Sequence, residues 1–125
     1  MIHSGIDLVS RARIKKIFDE VSTKFLEKIC TAKEIEYLKT QKRFDEKLAG
    51  IFALKEAFSK AVGTGFGDRL AFKEVEVHYT PRGQPRLTYL GKKFSPQCDS
   101  WDISCSVSHE GDMVAAVGTL SGEVP

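Results

Sequence analysis

The chain opens on a two-residue rhythm. Ile2, Ile6 and Leu8 fall on one side, with Gly5, Asp7 and Val9 on the other, which predicts a half-buried strand. Ser10 follows as a candidate helix N-cap. The period then lengthens: Ile14, Ile17 and Phe18 form an apolar stripe, with Arg11, Arg13, Lys15 and Lys16 off it. Phe25, Leu26 and Ile29 predict a second, short helix. Thr31-Ala32-Lys33-Glu34 has the spacing of a capping box and predicts a third helix through Ile35 and Leu38. The longest helix is predicted from Phe44 to Val62, with Phe44, Leu48, Ile51 and Phe58 facing the core and Gly63 as its stop.

Beyond Gly63-Thr64-Gly65-Phe66-Gly67 the period shortens to two. Val75, Val77 and Tyr79 alternate with Glu74, Glu76 and His78; a turn at Pro81-Arg82-Gly83-Gln84-Pro85 leads into Leu87 and Tyr89, predicting a hairpin. Ile103, Cys105 and Val107 alternate with serines. A tight turn at Glu110-Gly111-Asp112 then leads to Met113–Leu120, an apolar run predicted to be buried on both faces. The predicted class is α+β: an antiparallel sheet packed around one long central helix.

With 125 residues, no internal repeat and no linker, the pattern predicts a single domain over residues 1–125. That length is enough for a hydrophobic core without a covalent staple. Three cysteines, Cys30, Cys98 and Cys105, argue against a disulfide framework, and Met1-Ile2-His3-Ser4-Gly5 does not open like a signal peptide, so a reduced, cytoplasmic protein is expected. No apolar run approaches the ~20 residues of a membrane span. The net charge of +2 is too balanced for a nucleic-acid coat protein. It conceals an asymmetry: residues 1–62 carry 13 basic against 9 acidic side chains, residues 63–125 carry 6 against 8. Four of the basic residues crowd the first two turns of the first helix, where the helix dipole favours acids. Their cost there hints at an anionic partner.

Four features carry candidate chemistry. Phe52, Glu56 and Lys60 share a face of the long helix beside Ala49, Ala53 and Ala57, small residues that let another chain segment or a ligand approach the backbone. On spacing alone, Glu56 and Lys60 also read as an exposed ion pair. Asp7 lies inside an apolar strand, where an acid needs a partner: it caps the next helix, or it supplies oxygen to a hard divalent metal with Glu56 as second ligand. The glycine loop closes a helix rather than opening one, so it reads first as a stop, with its amides available as an anion nest. His109 ends a strand beside a turn, as a surface residue or a site residue. Cys98, Cys105 and His109 match no zinc spacing, and no nucleophile-elbow motif occurs.

Taken together, three blocks resemble the holo-acyl-carrier-protein synthase family, the small 4′-phosphopantetheinyl transferases. Gly5-Ile6-Asp7-Leu8-Val9 with Arg13 resembles the family's N-terminal block. The run from Leu48 to Ala61, with Lys55-Glu56-Ala57 and Lys60, followed by Gly63-Thr64-Gly65, resembles its central helix. Ser106-Val107-Ser108-His109 resembles its last strand end. Two departures stand out: Ile51 occupies a position where relatives often carry Arg, and one glycine rather than two precedes Asp7.

The resemblance implies a 4′-phosphopantetheinyl transferase fold and a reaction. A serine of apo-acyl carrier protein attacks the pyrophosphate of coenzyme A, takes the phosphopantetheine arm and releases adenosine 3′,5′-bisphosphate, in support of fatty acid synthesis. It implies Mg²⁺ on Asp7 and Glu56, with Lys60 and His109 also at the reaction site. Either Glu56 or a water on the metal would take the serine proton. Gly63, Thr64, Gly65 and His109 would meet the nucleotide phosphates, and Gly83 and Pro85 the adenine or ribose. Arg13, with Arg11 and Lys16, would meet the acidic carrier protein, and a homotrimer with sites between subunits is expected. The competing reading is a non-catalytic module that holds RNA or an acidic protein through the basic first helix. The small net charge and the lack of exposed-aromatic RNA motifs weigh against it.

Overall fold

A computed structural model describes all 125 residues. Strand β1 (Ile2–Ser10) leads into helix α1 (Arg11–Ile29), then α2 (Ala32–Lys39) and α3 (Phe44–Val62). Strands β2 (Val75–Tyr79), β3 (Pro85–Tyr89), β4 (Asp102–Glu110) and β5 (Met113–Ser121) follow. The antiparallel strands divide into two sheets, one ordered β1-β5-β4 and one formed by the β2–β3 hairpin. The two predicted N-terminal helices run on as one, broken by a kink at Ser22, whose φ of 23° and ψ of −99° are not helical.

Helix α3 is the centre of the molecule. Its apolar residues cover most of its circumference, as expected of a helix wrapped by other elements. Leu48, Ala49, Ile51, Ala53, Leu54, Ala57, Phe58, Ala61 and Val62 are all buried. Gly63 ends it in the left-handed conformation, φ 95°, that glycine adopts without strain. The small residues of α3 admit the sheet. A Cβ on Gly5 would sit 2.0 Å from the carbonyl oxygen of Ala57, so β1 can lie on the helix only because position 5 has no side chain.

This contact settles which way β1 faces. Gly5, Asp7 and Val9 look toward α3, whereas Ile6 and Leu8, 68% and 62% exposed, look out. Strand β5 is likewise not buried on both faces. Val114, Ala116, Gly118 and Leu120 face the helix, while Met113 and Val117 are exposed. The registers Ile6↔Val117 and Leu8↔Ala115 join these side chains into one apolar outer face.

The first turn of α1 lacks an acid of its own, and the β4–β5 turn supplies one. Asp112 accepts from the Ala12 amide at 2.8 Å and from the Ser10 hydroxyl, while Ser10 accepts from the Arg13 amide at 3.2 Å. These bonds hold the Asp112 carboxyl below its usual range. The capping box at Thr31–Glu34 forms as expected. Glu34 does more than cap. It is buried, 2.6 Å from the ammonium of the fully buried Lys55, and it also accepts from the Thr31 and Val77 amides. Lys55 donates further to the carbonyls of Ile29 and Phe72, so one ion pair ties α1, α2, α3 and β2 together.

Candidate active site

Asp7 reaches the helix because Gly5 brings β1 against it two residues earlier. Its carboxylate is mostly covered, and Lys60 bridges strand and helix by donating to the Ile6 carbonyl at 2.9 Å and to Asp7 Oδ1 at 3.3 Å. Lys60 therefore pairs with β1 and not with Glu56, its neighbour one turn back. Asp7 Oδ2 is buried with no hydrogen-bond partner. Glu56 stands close by, half-buried. Its carboxyl is held above the usual carboxylate range, first by desolvation and then by the charge of Asp7, against the pull of Lys60 and Arg13.

Two acids thus share a partly dry site in which one oxygen has no donor and one carboxyl resists ionising. A small oxygen-seeking divalent cation would satisfy the first and relieve the second. No group of three or more His, Cys, Asp or Glu side chains forms a metal cage anywhere in the molecule. Asp7 and Glu56 could therefore hold Mg²⁺ in its usual manner, with one or two carboxylates while water and substrate phosphates complete the shell.

A second cluster lies at the other end of α3. His109 Nδ1 is 3.3 Å from Oε1 of Glu46, in the first turn of that helix. Together with Lys47, Tyr79 and Gly83 they line a cavity of about 210 Å³. The Lys47 ammonium sits 5.5 Å from the centre of the Tyr79 ring. Glu46, Lys47 and Tyr79 were not singled out from the sequence. The one signal available was the helical spacing of Lys47, one turn before Ile51. Ile51 itself is buried in the core, so a cation on this face comes from Lys47.

The remaining expected residues scatter. The amides of Gly63 and Gly65 both donate to the Ser59 carbonyl at 3.1 Å, closing the helix rather than opening a nest. The Thr64 hydroxyl donates to the Gly65 carbonyl. Pro85 begins β3, buried, and its carbonyl faces the Cys105 thiol at 3.5 Å, outside the cavity that Gly83 borders. Of the basic residues on α1, Arg13 and Lys16 are exposed and have no carboxylate within ion-pair distance. Arg11 turns inward instead, 3.3 Å from the Gly111 carbonyl and 3.9 Å from Glu46, which removes it from the exposed basic face.

Comparisons with known proteins bear on the family and the fold. The family model of the 4′-phosphopantetheinyl transferase superfamily matches residues 4–117. A holo-[acyl-carrier-protein] synthase of Verminephrobacter eiseniae is 39% identical, over 98% of each chain. One from Helicobacter pylori is 37% identical, over 94% of this chain and 95% of its own. The crystal structure of a Helicobacter pylori holo-[acyl-carrier-protein] synthase in complex with coenzyme A superposes with a TM-score of 0.84, at 36% identity, over 97% of this chain and 100% of that one. The Neisseria meningitidis enzyme gives 0.86 at 31% identity, over 97% and 99%. By its motifs, its fold and these matches, the chain belongs to the 4′-phosphopantetheinyl transferase superfamily.

Proposed function

We propose that this protein transfers the 4′-phosphopantetheine arm of coenzyme A to a serine of apo-acyl carrier protein, with Asp7 and Glu56 holding Mg²⁺. The observation that carries this reading is the unpartnered, buried Asp7 Oδ2 beside a Glu56 whose charge is disfavoured. In the reaction the serine oxygen bonds to the phosphorus bearing the pantetheine. The bridging oxygen leaves with adenosine 3′,5′-bisphosphate, and Glu56 or a water at the site would take the hydroxyl proton. Such a transfer depends on positioning and on charge neutralisation more than on covalent help. The bound metal would supply Lewis-acid stabilisation of the pyrophosphate. Lys60 adds a fixed positive charge at the same place, and its bonds to β1 keep it there. Arg13, exposed and near enough to act on Glu56, stands where an acidic carrier protein would meet the site.

The same reading calls for a homotrimer with shared sites. Glu46 and Glu56 are ten residues apart on α3, about 15 Å along the helix. The groups assigned to their two clusters, the pyrophosphate and the ribose with its phosphate, are adjacent in one coenzyme A. A neighbouring copy that supplies one cluster while the first supplies the other removes the mismatch. The exposed outer face around Ile6, Leu8, Met113 and Val117 gives those copies an apolar surface to cover. A cytoplasmic location belongs to this reading, and no helix is long and apolar enough to cross a membrane.

The test is intact-mass spectrometry of apo-acyl carrier protein incubated with coenzyme A, Mg²⁺ and the protein. A mass gain of one phosphopantetheine that disappears with a chelator supports the proposal. No gain, with a carrier protein that a known transferase modifies, overturns it.

A further inference from the structure

We propose that Glu46 is a positioning residue that holds His109 and turns the rim of the α3 N-terminal cavity toward an anionic ligand. The inference rests on the assignment of His109 to the nucleotide phosphates of coenzyme A. Glu46 is an acid in the first turn of a helix, where the dipole already welcomes it. That role alone would leave it in water. Instead its side chain is 10% exposed, and three basic side chains converge on it, two of them from other elements. His109 from the end of β4 approaches at 3.3 Å, Arg11 from the start of α1 at 3.9 Å, and Arg43, just before α3, at 3.9 Å.

One carboxylate cannot balance this set. Lys47, with no carboxylate in reach, lines the cavity with Glu46 and His109. With Arg11 and Arg43 beside Glu46, the fixed charge around the cavity is positive without counting His109, so it suits a phosphate. The same carboxylate decides how His109 can greet it. Engaging Nδ1 fixes the ring plane and leaves Nε2 as the nitrogen available to a ligand. Glu46 thus acts through His109 rather than by touching the coenzyme.

The test separates this role from simple structural support. Glu46→Gln keeps the shape and removes the charge. It should raise the KM for coenzyme A ~10-fold, the scale of one charge-assisted hydrogen bond, while kcat at saturating coenzyme A holds. Calorimetric binding of adenosine 3′,5′-bisphosphate should weaken by the same factor. Because Glu46 acts through the imidazole, Glu46→Gln combined with His109→Ala should bind no worse than His109→Ala alone. If Glu46→Gln does not fold, Glu46→Asp carries the same test, since it keeps the charge near Arg11 and Arg43 but shortens the reach to His109. Unchanged binding in the position-46 variants, or additive losses in the double variant, overturns the inference and leaves the assignment of His109 standing. Unchanged binding in His109→Ala overturns that assignment and the inference with it.

Discussion

Lys55 and Glu56 are neighbours in sequence, yet they serve two regions of opposite character. About 100° of helical turn separates their side chains. Lys55 points into the core, fully buried, with its ammonium on Glu34 and two backbone carbonyls. Every polar atom of that pair has a partner, and the partners come from elements that must meet for the fold to exist. Glu56 points to the rim, beside an Asp7 oxygen that nothing satisfies. Both regions bury charge; only one completes its hydrogen bonds. The difference teaches that a satisfied buried charge belongs to the architecture, whereas an unsatisfied one marks where a ligand completes it.

The largest effect should come from breaking the satisfied pair. Lys55→Met strands Glu34 in the core and should cost about 3–5 kcal/mol of stability, read from urea unfolding. Adding Glu34→Leu should recover only part, because the Thr31 and Val77 amides would then lose their acceptor. At the unsatisfied pair the effect should move from stability to rate. Asp7→Asn or Glu56→Gln should lower phosphopantetheine transfer ~10²–10³-fold, as losing a charge stabiliser at a reacting phosphate does, with the unfolding midpoint held or raised.

Acidity sharpens the contrast further. The folded state raises the affinity of Glu56 for a proton, so between its ordinary range and the raised value the folded chain binds more protons than the unfolded one. Its contribution to stability therefore falls as pH rises through that window, and Glu56→Gln should abolish that component in metal-free unfolding curves. Asp112 has the opposite sign. Its stabilisation is present above its ordinary range and is lost as pH falls through the depressed value, so Asp112→Asn should flatten the acid limb.

The contact that delivers Asp7 to the helix can be tested by Gly5→Ala, which should cost about 1–3 kcal/mol by overpacking against Ala57 and depress transfer as Asp7 is displaced. The smallest effect belongs to the exposed basic face. Arg13→Ala should raise the KM for apo-acyl carrier protein ~5-fold or less and reduce its salt dependence, with stability unchanged.

Much of this was legible in the sequence, and the gaps have physical causes. Periodicity located every strand, the capping box and the long helix, because those signals are local. Periodicity could not choose the buried side of β1. The apolar residues lie on the outer side, and what decides is a glycine meeting a backbone oxygen some fifty residues away. Met113–Leu120 read as doubly buried because its outward residues are as apolar as its inward ones, although Met113 and Val117 are exposed. The residues offered the carboxylate pair only as one of two readings of Asp7, and the family resemblance favoured it, since Asp7 and Glu56 meet only once β1 lies on α3. Glu46 escaped notice altogether. In sequence it is an ordinary acid in a first helical turn, and its meaning lies in His109 and Arg11, which reach it from other elements.

On the proposed reading, Glu56 serves the reaction while its neighbour Lys55 serves the fold. The most direct measurement is the rate of carrier-protein modification and the urea midpoint, both taken on the same samples of wild type, Glu56→Gln and Lys55→Met. Glu56→Gln should keep the midpoint and lose transfer at least ~100-fold, while Lys55→Met should lose the midpoint. A Glu56→Gln variant that transfers phosphopantetheine at the wild-type rate would contradict it.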